Sequence, residues 1–255
     1  MEWIRPDSPD YDQARKLFNA MIDRKPAVIA KCSDPGEVAE ALSYAHNHNL
    51  DVAVRSGGHS VAGMSTNDDG LVIDVRPMKS ISVDRGMKTA TVGAGLTWGE
   101  FDRATQQYGL AVTGGRASTT GVSGFTLGGG SGWLERSYGF ACDNLLSVDL
   151  VTASGQRVSA SPGENPELFW ALHGGGGNFG VATSLTFKLH DLGPTVMAGL
   201  MLFPGEDAKD LWRAFRGLAL EAPDAVGTAL VYLTAPPEEF APEEMVGKLA
   251  VGVAY

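Results

Sequence analysis

The chain has 255 residues, 44% of them hydrophobic, and a formal net charge of −10, which allows a large buried core in one or two domains. This acidity excludes nucleic acid as the main partner, because a polyanion-binding surface needs a clustered excess of lysine and arginine, and no apolar run approaches the roughly 18 residues a membrane span requires. Cys32 and Cys142 lack CxxC spacing and read as buried thiols without a disulfide or zinc role, no histidine or carboxylate cluster has metal-ligand spacing, and Met1 to Asp7 lacks the profile of a secretory leader, so a soluble cytoplasmic protein without a metal is expected.

Residues 9 to 24 carry Tyr11, Ala14, Leu17, Phe18 and Met21 at three- and four-residue steps, which predicts an amphipathic helix ended by Pro26. A strand follows at Ala27 to Ala30. Ser33-Asp34-Pro35, with Glu37 at the positive end, then starts a helix that runs to about His46 or His48. These two histidines read as solvated or dipole-paired groups at the helix C-terminus. The strand Asp51 to Arg55 closes a strand–helix–strand unit, so it should run parallel to the first strand. Leu71 to Asp74 is a further strand. Ile81 to Val83 and Thr89 to Val92 flank Arg85-Gly86 as a hairpin, and Thr97 caps a helix through Tyr108. Leu145 to Thr152 and Arg157 to Ala160 form a second hairpin around Ser154-Gly155, Pro166 to Leu172 reads as helix, and Val181 to Leu189 as a long alternating strand that leads His190 to the surface. The class is α+β.

Leu192-Gly193-Pro194 marks a boundary, giving domains at 1–192 and 193–255. Beyond it the expected order is strand Thr195 to Phe203, helix Asp207 to Leu220, strand Gly227 to Thr234 and strand Val246 to Tyr255. The run Lys248 to Tyr255, read as an exposed edge strand without turn signal or polar tail, suggests a fragment of a longer chain.

Glycine carries the functional signal: there are 33, bunched between 114 and 132 and again at 174 to 180. Arg55-Ser56-Gly57-Gly58-His59-Ser60 ends a strand on two glycines and presents a histidine. Such a turn is either purely structural or a cradle of backbone N–H groups for an anion such as a diphosphate, with His59 held against the same ligand as nucleophile, base or ligand. Gly93-Ala94-Gly95 imitates a dinucleotide fingerprint, but its third glycine is misplaced, and nothing matches GxxxxGK[ST]. The belt Thr113 to Gly132 is too long for a turn and too apolar for a linker. Two readings remain for it: backbone passing along a flat extended ligand, or glycines packed tightly against neighbouring strands.

Four motifs together resemble the berberine-bridge-enzyme-like FAD-linked oxidoreductases of the vanillyl-alcohol-oxidase, PCMH-type fold. They are Arg55 to Ser60, the belt Gly114 to Trp133, Tyr138-Gly139 with Asp143-Asn144-Leu145-Leu146, and Leu168 to Val181 with its Gly174-Gly175-Gly176-Gly177 run. The resemblance covers roughly residues 20 to 192 and continues more loosely to 255. It implies a two-subdomain FAD-binding domain followed by the first part of an α+β substrate domain.

It also implies roles. Ser56, Gly57, Gly58 and Ser60 correspond to the loop whose amides hold the FAD diphosphate, with Arg55 and Gly63 as flanking cofactor-binding positions. His59 matches the histidine joined to the flavin 8α carbon. Gly114, Gly121, Gly124, Gly128 and Gly129 would line the ring system and diphosphate, and Asn178, Gly180 and Val181 would close over the adenine end or ribityl chain. Tyr138 and Asp143 fall in a cofactor-binding motif, Tyr138 as a hydroxyl near the flavin or as a buried aromatic. Relatives often carry a second tethering cysteine where Ala117 stands, which implies a single covalent link here, and commonly an arginine where His173 stands. Thr120 falls where relatives gate oxygen.

The expected activity is hydride transfer from a small organic alcohol, amine or ring carbon to FAD, with O2 as reoxidant. The catalytic base is expected in the substrate domain's sheet and is not identified among these residues; the alternative is a flavin-binding fragment without turnover. The family oxidises sugars, alkaloids and polyketide-like phenols, and a single tether suggests a smaller substrate site than that of oligosaccharide oxidases.

Overall fold

Two charged side chains fix the start of the first long helix: the Asp34 carboxylate accepts the N–H groups of Gly36 at 2.7 Å and Glu37 at 3.1 Å, while Glu37 accepts from the Ser33 N–H at 2.7 Å. Pro35 supplies the first helical φ. Asp34→Ala is expected to cost about 1 kcal/mol, read as a shift of the urea midpoint at unchanged m-value.

The computed structural model describes residues 1–255 in two compact units, Met1–Gly193 and Pro194–Tyr255. The first unit runs β1 (Glu2–Ile4), α1 (Tyr11–Ala14), β2 (Val28–Lys31), α2 (Pro35–Asn47), β3 (Val52–Arg55), β4 (Leu71–Asp74), β5 (Ile81–Asp84), β6 (Thr89–Gly93), α3 (Trp98–Gln106), β7 (Leu110–Ala111), α4 (Val122–Leu127), α5 (Glu135–Tyr138), β8 (Leu145–Val151), β9 (Arg157–Ala160), α6 (Pro166–Ala171), β10 (Val181–Lys188) and β11 (His190–Asp191).

A four-stranded sheet has the order β1-β2-β4-β3. β2 and β3 are parallel as expected, yet each pairs with β4 and not with the other. β4 is therefore central, and all four of its residues, Leu71, Val72, Ile73 and Asp74, are buried. The second sheet, β5-β6-β10-β8-β9, is antiparallel throughout and contains both expected hairpins. α2 packs on both β4 and β8 through Val38, Ala41 and Ala45, so the two sheets share one apolar core. Trp98, Phe101 and Phe187 fill that core beside α3, with edge or tilted contacts at centroid distances of 5.2, 5.5 and 6.1 Å. At the N-terminus of α3 the Glu100 carboxylate accepts from both the N–H and the hydroxyl of Thr97, at 2.8 Å each. Cys32 and Cys142 are free and buried, and burial pushes the Cys32 thiol up to about 12.

The helix expected over 9 to 24 is absent beyond Tyr11–Ala14. After Arg15 the chain leaves the helical path, because the Phe18 N–H donates to Gly58 O at 3.3 Å and not back along a helix. Of the periodic residues, only Tyr11 and Ala14 are buried; Phe18 and Met21 are exposed. His190 also departs from expectation: it is half-buried, stacks on Tyr138 at 4.0 Å and lies 2.6 Å from Asn144 Oδ1 through Nε2. Asn144 Nδ2 donates to the carbonyls of Tyr138 and Phe140, so its Oδ1 accepts from His190.

The second unit contains β12 (Leu200–Pro204), α7 (Ala208–Glu221), β13 (Ala229–Thr234) and β14 (Leu249–Ala254) in an antiparallel sheet ordered β12-β14-β13. β14 is the middle strand, with Ala250, Val251 and Gly252 buried, which corrects the reading of Lys248 to Tyr255 as an exposed edge. Its apolar composition reflects pairing on both sides. No helix is long and apolar enough to cross a membrane.

Candidate functional site

The loop Ser56–Ser60 leaves the C-terminal end of β3 and meets the turn that opens α4. Gly57 and Gly121 touch backbone to backbone: a Cβ on Gly57 would lie 2.1 Å from Gly121 N, and one on Gly121 would lie 2.3 Å from Gly57 N. The packing reading of the glycine belt holds for this pair, while other glycines of the belt face open space. The Ser56 and Ser123 hydroxyls both donate to Ala94 O at 2.8 Å, locking the loop and α4 onto β6. Gly58 adopts φ +70, and Gly63 adopts φ +75 with its Cα against Ile22. The backbone N–H groups of Gly57, Gly58, His59 and Ser60 find no acceptor in the chain.

These free amides border a groove with two reaches. One, of about 290 Å³, is lined by Gly57, Gly58, His59, Thr120, Gly121 and Phe125, among others. The other, of about 350 Å³, runs on past Ser123 and Leu127 to Gly176, Gly177, Asn178 and Gly180. Val54, Ser56, Ser60, Ser65 and Gly124 line both, so the reaches are continuous. Two larger clefts of about 640 and 620 Å³ lie elsewhere in this unit, but neither borders a histidine or a glycine. A methyl on Gly124, Gly176 or Gly177 would meet nothing within 4 Å.

At one end of the groove the His59 imidazole stacks on Phe18, with centroids 3.9 Å apart and planes at 17°, and Nε2 lies 2.9 Å from Thr119 Oγ1. Burial lowers its pKa, favouring the neutral ring.

The groove brings together Ser56, Gly57, Gly58, His59, Ser60, Thr120, Gly121, Gly124, Asn178 and Gly180. Other positions singled out in the sequence stand apart from it. Arg55 is 2% exposed, and its guanidinium lies 2.7 Å from Asp74, which Arg76 also engages. Burial would raise the Asp74 pKa, but hydrogen bonding to Arg76 and the charges of Arg55 and Arg76 outweigh it and hold the carboxyl below the usual range. Gly114 lies under the Trp98 ring, Gly128 closes α4, Gly129 O accepts the Cys142 N–H at 3.0 Å, and Val181 is core in β10. The Tyr138 hydroxyl donates to Asp191 O at 3.4 Å and its ring stacks on His190, while Asp143 accepts the Phe140 N–H at 2.8 Å. These two build the 138–144 turn. Phe18 and Thr119, which touch the histidine, carried no functional signal in the sequence. Phe18 fell in a helical pattern, and Thr119 is brought to His59 only by tertiary contact.

A family model described as an FAD binding domain matches residues 26–161. The glycine-backbone cradle, unpaired amides and continuous groove fit that group, and the α+β architecture is the PCMH-type FAD-binding fold. Among curated relatives, (R)-6-hydroxynicotine oxidase of Paenarthrobacter nicotinovorans is 39% identical over 200 residues, 78% of this chain and 44% of the relative. FAD-linked oxidoreductase pgmH of Aspergillus terreus is 37% identical over 196 residues, 76% of this chain and 40% of the relative. The solved 6-hydroxy-D-nicotine oxidase of Arthrobacter nicotinovorans superposes with a TM-score of 0.89 at 34% identity, covering 99% of this chain and 54% of that one. Physcomitrella patens BBE-like 1 superposes at 0.88 with 27% identity, covering 100% and 54%. The chain belongs to the berberine-bridge-enzyme-like FAD-linked oxidoreductases, and it spans about half the length of the relatives it matches.

Proposed function

We propose that this chain forms the flavin-binding part of an FAD-dependent oxidase or dehydrogenase acting on a small organic substrate, and that His59 holds the flavin through a single covalent 8α bond. The observation that carries this is a partly buried imidazole, its pKa lowered by burial, on a groove-lining loop whose backbone amides have no acceptor in the chain. When bound, FAD supplies a two-electron acceptor for hydride from the substrate. The chain's own residues bind and orient it. The N–H groups of Gly57, Gly58, His59 and Ser60 donate to the diphosphate, as backbone nests do for anions. Gly124, Gly176, Gly177 and Asn178 border the path of the rest of the cofactor, and Thr120 lines the reach next to His59, where dioxygen would approach. Residues Met1–Gly193 constitute the FAD-binding domain and Pro194–Tyr255 the opening of a substrate domain. Ala117 offers no thiol for a second link.

The test is acid precipitation of protein purified with FAD. The pellet is expected to stay yellow, and that of His59→Ala to be colourless; a colourless wild-type pellet, or acid-stable flavin in the variant, overturns the covalent assignment. Anaerobic flavin reduction by a panel of alcohols, amines and sugars then tests oxidoreductase function, and binding without reduction by any of them favours a noncatalytic flavoprotein. Attachment also needs an unprotonated imidazole. Because the folded His59 pKa lies below its usual value near 6.5, the initial rate of acid-stable flavin formation should be flat above about pH 6.5 and fall only as pH drops through the lower folded value.

A further inference from the structure

We propose that Thr119 is a positioning residue for His59, holding the Nε2–H tautomer so that Nδ1 is the nitrogen presented for attachment. The inference rests on the covalent reading above and extends it to a residue that carries no assigned role. Three observations combine. The Phe18 ring covers one face of the imidazole at 3.9 Å and 17°, and Phe18 is itself tied to the loop by its N–H bond to Gly58 O, so the plane of the histidine is set. With that plane fixed, the 2.9 Å contact between Nε2 and Thr119 Oγ1 selects which of the two 180° flips the ring takes. Nδ1 is left with no partner in the chain, at a residue that borders the groove. A neutral imidazole has one N–H and one lone pair, and a hydroxyl can meet either; the direction proposed here has Nε2–H donating to the threonine oxygen, which leaves the lone pair on the unpartnered Nδ1.

The step this arrangement serves balances as follows. One C–H bond of the 8-methyl breaks, releasing a proton to solvent and two electrons, and one C–N bond forms to Nδ1. The electrons pass through the ring system to dioxygen, which leaves with two protons as hydrogen peroxide. The Nε2 proton remains on the imidazole, still hydrogen-bonded to Thr119, so the threonine also stabilises the positive charge that the ring acquires on alkylation.

Thr119 is exposed, and valine matches its shape without the hydroxyl. Two measurements on the full chain test the proposal. In flavin-free protein, long-range ¹H–¹⁵N NMR of His59 should show the Nε2–H tautomer dominant in wild type and in Thr119→Ser, and shifted toward Nδ1–H in Thr119→Val. On addition of FAD, Thr119→Val should form acid-stable flavin roughly two- to tenfold more slowly, the loss of one hydrogen bond, with Thr119→Ser restoring the wild-type rate and noncovalent FAD affinity alike in all three. NMR of the flavin-bearing peptide released by proteolysis should place the flavin on Nδ1. Equal tautomer populations in wild type and Thr119→Val, an unchanged attachment rate, or attachment through Nε2 would each overturn it. Failure of wild type to hold any acid-stable flavin removes the covalent reading instead, and the tautomer measurement, which uses no flavin, still decides whether Thr119 orients the ring.

Discussion

Gly121→Ala should lose about 3 kcal/mol of stability or more and fail to retain FAD. The added Cβ would sit 2.3 Å from Gly57 N, 2.3 Å from Ser56 Oγ and 2.9 Å from Ser56 Cβ. None of these is the free end of a flexible side chain: the first is backbone, and the Ser56 hydroxyl is held at 2.8 Å to Ala94 O. Relief requires the Ser56–Ser60 loop to move away from the turn before α4, which separates the free amides from Thr120 and the rest of that wall. Gly124 provides the contrast. A methyl there meets nothing within 4 Å, and the residue lies inside α4, where alanine is the better helix former by up to about 1 kcal/mol. Gly124→Ala should therefore match or exceed wild type in urea unfolding while weakening FAD binding, because its methyl occupies the groove. Urea midpoints of the flavin-free proteins and titration with FAD separate the two cases. A Gly121→Ala chain of wild-type stability would show that the two backbones can part at little cost, and a Gly124→Ala chain of wild-type FAD affinity would place the cofactor elsewhere.

The second large effect is expected from Asp74→Ala, at about 3–5 kcal/mol of destabilisation. Asp74 and Arg55 have side chains 1% and 2% exposed, and they close the C-terminal ends of neighbouring parallel strands at 2.7 Å. Removing the carboxylate strands the Arg55 charge in the interior, where Arg55 Nε already has no partner and Arg76 lies nearby as a like charge. The consequence reaches function because Arg55 immediately precedes Ser56, so its anchorage sets where the amide loop begins. The pH dependence has a defined sign. The folded pKa of Asp74 is lowered, so the ionised carboxylate contributes stability that is complete above the unfolded value near 3.9 and is lost as pH falls through the folded value. The deficit of Asp74→Ala against wild type should be constant at neutral pH and shrink only in that acidic window. Equilibrium urea unfolding at several pH values measures it, and a deficit below about 1 kcal/mol at pH 7 would mean that Arg55 finds other compensation.

Much of the local structure was legible in residue order. The turns at Arg85-Gly86 and Ser154-Gly155, the starts of α2 and α3, and the alternation of β10 depend on neighbours within a few residues, and each appears in the fold. The Tyr11 to Met21 periodicity misled because exposed Phe18 serves the His59 loop, 40 residues away in sequence, and not a core. Arg55 stood in a cofactor motif, yet its guanidinium turns to Asp74. His190 looked like a surface residue at a domain boundary, but Tyr138 and Asn144 cover it.

Local periodicity by itself determined the α+β class, and the resemblance of four motifs in order pointed to the FAD-linked family, because those properties reside in contiguous segments whose conformational freedom and hydrogen-bonding capacity are local. Tertiary structure decided which glycines pack and which border open space, inserted β4 between β2 and β3, and put Phe18 and Thr119 on the imidazole. Contacts of that kind join residues far apart in the chain, and their energies depend on what burial leaves nearby, which no window of sequence specifies.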